Sequence, residues 1–484
     1  MSLDVSSLSA TALLHELRER RISAVEALDG LVERIEARNA AINAVVTEDY
    51  ERARATAAAI DDARAAGRAL GPLAGLPMTV KDSLMTEGVT TTSGAPELAD
   101  FVPEHDAAPV ARVKEAGAVV FAKTNLPIYA GDVQSYNDVF GTTNNPWDTD
   151  RAPGGSSGGS AAALAAGFTP LEIGSDIGGS IRNPAGMCGI VGHKPSYGIV
   201  SAKGQIPGPP GTLTQADIAV VGPMARTVAD CRLELDVLAG ADDWHGKAWA
   251  LELPPARTGA VDELRVAVWA TDPHCPVDEE IAAAITALGD RLAAAGATVD
   301  HEVRPGGFDF AKADATFWQL LGGAMSGGWS LSEIEEMAQR RAAGEIPEGD
   351  LGVEASIQRH RSWLTANERR LQMRARWLDF FNDWDVVLAP VSPTVAIPHD
   401  HSSPMSQRTI DVAGETRPYT AQMQWMGLFG LVYLPSTVVP IGVHSSGLPF
   451  GVQVVGPFLE DYTTLEAASY VEDLTGGTQR PPGW

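Results

Sequence analysis

The sequence from Gly154 to Arg182 reads GGSSGGSAAALAAGFTPLEIGSDIGGSIR and is the most unusual stretch of the chain. Ser156 and Ser180 are flanked by glycines and lie 24 positions apart, on either side of an alanine-rich segment and a short apolar run. Glycines beside a serine allow backbone N–H groups to approach a ligand closely. Such preorganised donors next to a nucleophile stabilise an oxyanion. The stretch therefore predicts a site of nucleophilic chemistry.

Three other interpretations fit parts of this stretch. A flexible linker is disfavoured because a predicted helix and strand follow the glycines directly. A phosphate-binding loop requires Lys and then Ser or Thr after its last glycine, whereas this chain has Ser160 and Ala161. The G-x-S-x-G elbow of α/β hydrolases matches Gly154–Gly158 and would make Ser156 an esterase nucleophile. That elbow follows a buried strand, but the preceding Thr142–Pro153 is polar and rich in turn residues.

A serine nucleophile needs a base, and the sequence offers two candidates. His193 is near Ser180 in the chain, but its turn-like context Gly-His-Lys-Pro favours a structural role. Lys81 ends the apolar run Leu76–Val80, where burial would lower its pKa from ~10.4 and favour the neutral, basic form. Taken alone, Lys81 would be interpreted as a surface or salt-bridged lysine, and only its combination with the serines makes it a candidate base.

The combination of motifs resembles the amidase signature family of serine hydrolases. The matching segments are VKDS at 80–83, GTTNNPWDTDRAP at 141–153, GGSSGGS at 154–160, GSDIGGSIR at 174–182 and CGIVGHKPSYGIVS at 188–201. The resemblance is strong over residues 70–240 and loose elsewhere. It implies hydrolysis of a carboxamide C–N bond through an acyl-enzyme, with no metal and no organic cofactor.

The resemblance also implies a role for each motif residue. Ser180 would be the nucleophile, Ser156 the bridging serine after a cis Gly155–Ser156 bond, and Lys81 the terminal base. The backbone N–H groups of Ile177, Gly178, Gly179 and Ser180 would form the oxyanion hole, and Ser157, Asp176 and Arg182 would hold the geometry from behind.

The substrate pocket is less well defined by the sequence. Ile128-Tyr129-Ala130 stands where many members of the family carry an acid and Phe, so the specificity of relatives does not transfer. We expect the pocket to include Tyr129, Gly131, Asp132, Gln134, Trp425 and Met426. An apolar pocket would bind aryl or hydrophobic amides, anilides, esters or carbamates. Such compounds are the substrates of an aryl acylamidase or a urethanase. The His399-Asp400-His401 segment is interpreted as a loop rather than as a metal site, because no third ligand lies nearby.

Hydrophobic periodicity predicts a parallel or mixed β-sheet covered by helices. The resemblance implies an α/β fold of the amidase signature type, with a large mixed, twisted β-sheet covered by α-helices on both faces. Residues 1–67 read as N-terminal helices, with a capping box at Ser23 and Glu26. Arg265–Trp269, a helix capped by Asp278 and Thr298–Val303 read as a β-α-β unit. Residues 310–380 read as a helical decoration near the substrate entrance, and 1–484 as a single amidase domain with its signature core at 70–240.

Composition limits the partners and the compartment. The 484 residues carry a formal net charge of −26, which disfavours nucleic-acid and anionic membrane partners. Three cysteines and the absence of an apolar leader favour a reducing, cytoplasmic location. The interpretation is a stand-alone amidase for a small-molecule amide, as a monomer or homodimer. An amidotransferase subunit of the same family is the alternative, and a non-enzymatic binding module would leave the lysine and the serine pair without a purpose.

Overall fold

The computed structural model describes residues 4–206, 210–346 and 351–484. The helices are α1 (Ala10–Arg18), α2 (Ala24–Ile42), α3 (Tyr50–Ala65), α4 (Ala108–Glu115), α5 (Gly158–Ala165), α6 (Arg182–Cys188), α7 (Val228–Leu238), α8 (Glu279–Ala294), α9 (Phe310–Met325), α10 (Leu331–Ala342), α11 (Leu351–Ser356), α12 (His360–Asp383), α13 (Gln424–Gly430) and α14 (Asp461–Thr475). None of the helices in these ranges combines the length and apolar character that crossing a membrane requires.

Most of the strands belong to one mixed sheet. The strands are β1 (Val45–Glu48), β2 (Pro77–Lys81), β3 (Val119–Thr124), β4 (Tyr136–Asn137), β5 (Gly141–Thr142), β6 (Leu171–Asp176), β7 (Val191–Lys194), β8 (Val220–Ala225), β9 (Arg265–Val268), β10 (Thr298–Asp300), β11 (Val386–Pro390), β12 (Thr409–Val412), β13 (Glu415–Pro418), β14 (Ser436–Val443) and β15 (Pro449–Val455). The large sheet has eleven strands in the order β1-β3-β2-β6-β8-β7-β14-β15-β11-β9-β10, and β4-β5 and β12-β13 form separate pairs. The predicted mixed α/β architecture is confirmed.

Local sequence signals account for the boundaries of several elements. Ser23 and Glu26 form the reciprocal capping box of α2. Asp278 accepts from the first N–H groups of α8, and β9 and β10 on either side of that helix pair in parallel. These contacts confirm the predicted β-α-β unit. The central strands β2, β6 and β8 are buried along their whole length, which suits the mostly apolar residues of β2 and β8, whereas β6 also buries Glu172, Ser175 and Asp176.

The sequence prediction was wrong or displaced at three places. Residues 45–48 of the predicted helical region form β1, which pairs antiparallel with β3. The short apolar run between the two serines predicts a strand at Phe168–Ile173. The strand instead begins at Leu171 and runs to Asp176, since Gly167 has a positive φ and Pro170 precedes it. The strand predicted at Thr298–Val303 ends at Asp300, whose carboxylate accepts from two following N–H groups and turns the chain.

The helical region 310–380 comprises α9 to α12, and its residues 347–350 lie outside the described residues.

The sheet brings the motif segments to one edge. Strands β2 and β6 are parallel neighbours, with Thr79 beside Glu172 and Val80 beside Ile173. The carboxyl ends of parallel neighbours meet at the same edge of a sheet, so Lys81 and Asp176 lie close together there. Helix α5 starts immediately after Ser157 and packs on the same strands. Residues 143–157 contain no strand, so the context that the α/β-hydrolase elbow requires is missing.

Candidate active site

Lys81 is fully buried and its amino group is surrounded by serine hydroxyls. Its Nζ lies 2.7 Å from Oγ of Ser156, 2.9 Å from Oγ of Ser157 and 3.0 Å from Oγ of Ser175. None of the described carboxylates lies within salt-bridge distance of it. The peptide bond between Gly155 and Ser156 is cis, as the resemblance implied. The two motif segments and strand β2 therefore meet at this amine.

Burial controls the charge of the amine. Desolvation lowers the pKa of Lys81 to about 7, and the negative charges of Asp176 and Glu172 oppose that change. Glu172 lies on the neighbouring strand opposite Thr79, two residues before Lys81, and accepts a hydrogen bond from Thr79. Burial raises the pKa of Glu172 to about 8, against the effect of its hydroxyl partners and of Lys123. Lys81 is thus a lysine whose neutral form is accessible near neutral pH.

Asp176 and Arg182 fix the loop that carries Ser180. The Asp176 carboxylate accepts from Nη2 of Arg182 at 2.9 Å and from its Nε at 3.0 Å, and both side chains are buried. Burial alone would raise the pKa of Asp176, but the charge and hydrogen bonds of Arg182 lower it to about 2. The same carboxylate accepts from the N–H groups of Gly179 and Ile181. A bidentate, charge-assisted pair of this kind holds the loop in one conformation.

The N–H groups of the predicted oxyanion hole divide into two sets. The N–H of Gly179 donates to Oδ1 of Asp176 at 2.8 Å, so it has a partner within the protein. Among the described residues, the N–H groups of Ile177, Gly178 and Ser180 have no acceptor. Gly179 has φ of +125°, which glycine adopts without strain. Three open donors, rather than the four of the sequence prediction, surround the Ser180 backbone.

Ser180 itself is 6% exposed, and the structure joins it to the other serines through the backbone. The N–H of Ser157 donates to the carbonyl of Ser180 at 3.1 Å. In the described ranges, no hydrogen bond joins Oγ of Ser156 to Oγ of Ser180. The Lys81–Ser156 contact is therefore observed, whereas the Ser156–Ser180 contact belongs to the proposed reaction.

Apolar side chains cover the glycines next to Ser180. A methyl group at position 178 would collide with Met423 and lie 3.6 Å from the ring of Phe317. A methyl group at position 179 would collide with the thioether of Met426. Met423, Phe317 and Met426 thus form an apolar wall, and the space between this wall and the loop admits no side chain at Gly178 or Gly179. The predicted residue Met426 therefore lies beside the Ser180 loop.

The other predicted pocket residues are mostly occupied by partners within the protein. The carboxylate of Asp132 pairs with Arg408 at 2.6 Å and accepts from the hydroxyl of Tyr419. The amide of Gln134 bonds to the backbone of Asp400, at 2.7 Å through its nitrogen and 3.0 Å through its oxygen. These polar groups hold the 132–134 segment against the chain around Asp400.

Three further residues singled out in the sequence lie elsewhere. The hydroxyl of Tyr129 bonds to Glu97, and Gly131 is exposed. Trp425 is 0% exposed, and its indole donates to the carbonyl of Cys275 within the aromatic core. The structure thus places Trp425 in the core rather than at the glycine-rich loop, because α13 turns only one side toward Gly179.

His193 has the structural environment that its sequence context favoured. Its ring is fully buried, 2.8 Å from the Thr437 hydroxyl and 3.2 Å from the Asp461 carboxylate. Both partners come from the C-terminal part of the chain. These contacts connect the signature segment to α14.

Sequence reasoning missed several residues that the structure places at the site. Ser175 and Glu172 both lie on β6, and a buried acid within an apolar strand was a signal for Glu172. Phe317 and Met423 come from segments far away in the sequence, and no local pattern distinguishes them from other core residues. Their position follows only from the packing of α9 and of the segment before α13 on the Ser180 loop.

The buried lysine–serine cluster lies at the carboxyl ends of β2 and β6, next to a glycine-rich loop with open N–H donors. This arrangement is typical of hydrolases that act on carbon–nitrogen bonds. The family model described as Amidase matches residues 26–465. The chain therefore belongs to the amidase signature family.

Individual relatives cover the whole chain. The chain is 34% identical to a protein of Moorella thermoacetica named as a subunit of glutamyl-tRNA(Gln) amidotransferase, with 99% of each sequence covered. It is 36% identical to the protein of the same name from a Roseiflexus species, with 96% of each covered. A solved structure described as an amidase superimposes with a TM-score of 0.79 at 28% identity, covering 97% of this chain and all of the other.

Proposed function

We propose that this protein hydrolyses a carboxamide C–N bond through an acyl-enzyme on Ser180. The observation that carries the proposal is the buried amine of Lys81, which lies 2.7 Å from Ser156 and has no carboxylate partner among the described residues. A neutral amine donates two hydrogens and accepts one. Because the Ser157 hydroxyl donates to the carbonyl of Ser175, it accepts from Lys81. In the proposed neutral state, Lys81 also donates to Ser175 and accepts the hydroxyl hydrogen of Ser156.

In the proposed reaction, Lys81 takes the proton of Ser156 while Ser156 takes the proton of Ser180. The Ser180 oxygen forms a bond to the amide carbon, and the resulting oxyanion accepts from the open N–H groups of Ile177, Gly178 and Ser180. Ser156 then protonates the amide nitrogen, Lys81 returns its proton to Ser156, and the C–N bond breaks. Water enters and gives a proton to the same relay, its oxygen bonds to the acyl carbon, and Ser180 leaves with a proton.

Two settings for this reaction have support. The curated relatives support a role within an amidotransferase, since both are named as subunits of such an enzyme and match nearly end to end. This support is stronger than any the comparisons give to a stand-alone amidase. The solved structure described as an amidase supports the stand-alone setting, since it superimposes on 97% of this chain with a TM-score of 0.79.

Covalent labelling tests the nucleophile. We expect a fluorophosphonate to add to Ser180, and we expect Ser180→Ala to abolish both the adduct and amide hydrolysis. Ser6→Ala is the matched control, because Ser6 is also buried but its hydroxyl donates to Asp4, outside the lysine–serine cluster. An adduct on Ser156 that survives Ser180→Ala would support the esterase alternative, and full activity of that variant would contradict the proposal.

A substrate panel separates the two settings. Ammonia or amine release is measured with glutamine, apolar primary amides and anilides, with Ser180→Ala as the blank. Turnover of apolar amides by the chain alone would support a stand-alone amidase. Glutamine hydrolysis that appears only after the other subunits of an amidotransferase are added would support the amidotransferase setting.

A further inference from the structure

Helix α5 starts after Ser157, but the hydroxyl of Ser157 does not cap it. A serine at this position usually accepts a hydrogen bond from one of the first N–H groups of its own helix. The Ser157 hydroxyl instead donates to the carbonyl of Ser175 and accepts from Nζ of Lys81 at 2.9 Å. It also accepts from the N–H of Ser175 at 3.3 Å. The bonding capacity of this hydroxyl is therefore filled at the lysine–serine cluster.

The first N–H groups of α5 bind partners from other segments of the chain. The N–H of Gly158 donates to Oγ of Ser135 at 3.0 Å. The N–H of Gly159 donates to the carbonyl of Asn125 at 3.1 Å. A helix start needs such acceptors, because its first N–H groups have no partner within the helix. Ser135 thus provides the cap that the Ser157 side chain does not.

Ser135 also contacts the backbone on both sides of the bridging serine. Its hydroxyl donates toward two carbonyl oxygens, that of Gly154 at 3.2 Å and that of Ser156 at 3.3 Å. The side chain is 1% exposed. The backbone of the preceding Gln134 is so close to Gly155 that a methyl group at Gly155 would lie 2.7 Å from it. Ser135 therefore packs directly on the turn that carries Ser156.

Contacts outside α5 hold Ser135 in place. The residue directly precedes β4, which pairs antiparallel with β5. Its carbonyl accepts from the N–H of Thr143, just after β5, at 2.9 Å. Three residues earlier, the carboxylate of Asp132 pairs with Arg408 at 2.6 Å. The position of Ser135 is therefore set by the hairpin and by the chain around Arg408, and α5 is held against it.

We infer that Ser135 is a positioning residue, which caps α5 in place of Ser157 and so keeps the Ser157 hydroxyl at Lys81. The inference rests on the proposed function. A neutral lysine that donates to Ser157 and Ser175 directs its lone pair toward Ser156. Without the Ser135 hydroxyl, Ser157 turns toward the first turn of its own helix. Lys81 then loses a partner that directs its lone pair.

Turnover per labelled site tests the role of Ser135. We expect Ser135→Ala to lower kcat for an amide about tenfold, because a buried N–H loses its acceptor, and to leave KM unchanged. Dividing the rate by the fraction of chains that a fluorophosphonate labels at Ser180 removes the contribution of unfolded protein. Ser196→Ala is the matched control, since Ser196 is also 1% exposed and its hydroxyl accepts from the N–H of Leu459. A wild-type kcat per labelled site in Ser135→Ala would overturn the inference.

A double-mutant cycle tests whether Ser135 acts through Ser157. We expect Ser157→Ala to lower kcat at least as much as Ser135→Ala, and we expect the double variant to be no slower than Ser157→Ala. Losses that multiply in the double variant would show that the two serines act independently and would overturn the inference. If Ser135→Ala does not fold, Ser135→Cys replaces it in both experiments, because a thiol is only a weak acceptor.

The pH profile gives a measurement that a loss of stability alone would not change. The ammonium form of Lys81 donates to three serine hydroxyls, so the loss of one acceptor lowers its pKa. We expect the midpoint of kcat/KM against pH to move to lower pH in both Ser135→Ala and Ser157→Ala. Burial and the opposing charges of Asp176 and Glu172 are the same in all variants. A midpoint that moves in Ser157→Ala but not in Ser135→Ala would contradict the inference.

These outcomes separate the inference from the proposed function. If the wild type gives no adduct on Ser180, or if Ser180→Ala stays active, the proposed function fails whatever the Ser135 variants do. If the wild type is labelled on Ser180 and Ser135→Ala keeps the wild-type kcat and midpoint, only the positioning role of Ser135 fails.

Discussion

At the scale of single residues, the site depends on where one amine is buried. Lys81 and Lys123 are both fully buried lysines at neighbouring strands, and burial lowers the pKa of each. Lys123 donates to the hydroxyls of Thr86 and Thr91 and lies 3.7 Å from Asp82, which is a structural arrangement. The hydrogen-bond partners of Lys81 among the described residues are serine hydroxyls alone. The surroundings, and not the residue type, distinguish the candidate base.

The pH dependence of hydrolysis is expected to report Lys81. Its folded pKa of about 7 lies below the usual lysine value, so the neutral base forms as the pH rises through 7. We expect kcat/KM to increase about tenfold per pH unit below 7 and to level off above it. The measurement is kcat/KM for an amide substrate as a function of pH and, in parallel, the rate of fluorophosphonate labelling over the same pH range.

The control for this pH profile is Lys81→Arg, whose guanidinium is not deprotonated in a protein. It should lose the reaction at every pH while retaining the fold by circular dichroism. A profile that keeps its midpoint in Lys81→Arg would show that another group is the base.

At the scale of elements, close contacts position α5 against the strands. A methyl group at position 159 would overlap the backbone of Asn125, just beyond β3, and Gly158 meets the Ser135 side chain in the same way. The N–H of Gly159 also donates to the carbonyl of Asn125. The glycines after Ser157 therefore bring the helix, and with it Ser156, within reach of Lys81.

Gly159→Ala is expected to destabilise this element. The added methyl group meets rigid backbone rather than a flexible side chain, so we expect a loss of about 1–3 kcal/mol in the free energy of unfolding. Urea denaturation measures it, with Gly327→Ala as the control because nothing lies within 4 Å of a methyl group there. Equal stability of both variants would contradict the close-contact argument. We also expect a lower kcat in Gly159→Ala, since the helix start moves Ser156.

At the scale of the whole molecule, one sheet links the two ends of the chain. The order of its strands places β7 and β8 of the signature region next to β14 and β15 of the C-terminal part. Asp461 at the start of α14 accepts from the N–H of Ser196 at 2.8 Å and contacts His193. The C-terminal part therefore packs into the signature core, and we propose that the chain unfolds as one unit.

Coincident unfolding transitions test this proposal. We expect tryptophan fluorescence and far-UV circular dichroism to give the same thermal midpoint. Asp461→Ala should lower both thermal midpoints together, because it leaves buried donors unpaired. The expected loss in the free energy of unfolding is about 1–3 kcal/mol. Asp473→Ala on the same helix is exposed and serves as the control. Two separate transitions, or a shift of one probe only, would contradict a single unit.

Much of the fold was predictable because its signals are local. The capping box of α2, the Asp278 cap of α8 and the apolar run that leads into Lys81 on β2 depend on neighbours in the sequence. The strand β1 escaped prediction because four residues between two helices carry too short a pattern. Its identity depends on pairing with β3, a contact over more than 70 positions.

For this protein, the sequence by itself determined the α/β class and the order of the motifs that contain Lys81, Ser156 and Ser180. These properties belong to residue types and their local order. Only the tertiary structure decided that Ser175 bonds to Lys81, that Met423 and Phe317 cover Gly178, and that Trp425 lies in the core. The physical reason is that burial and contact depend on which distant segments the sheet brings together. Burial in the folded chain likewise lowers the pKa of Lys81 to about 7, which no local pattern specifies.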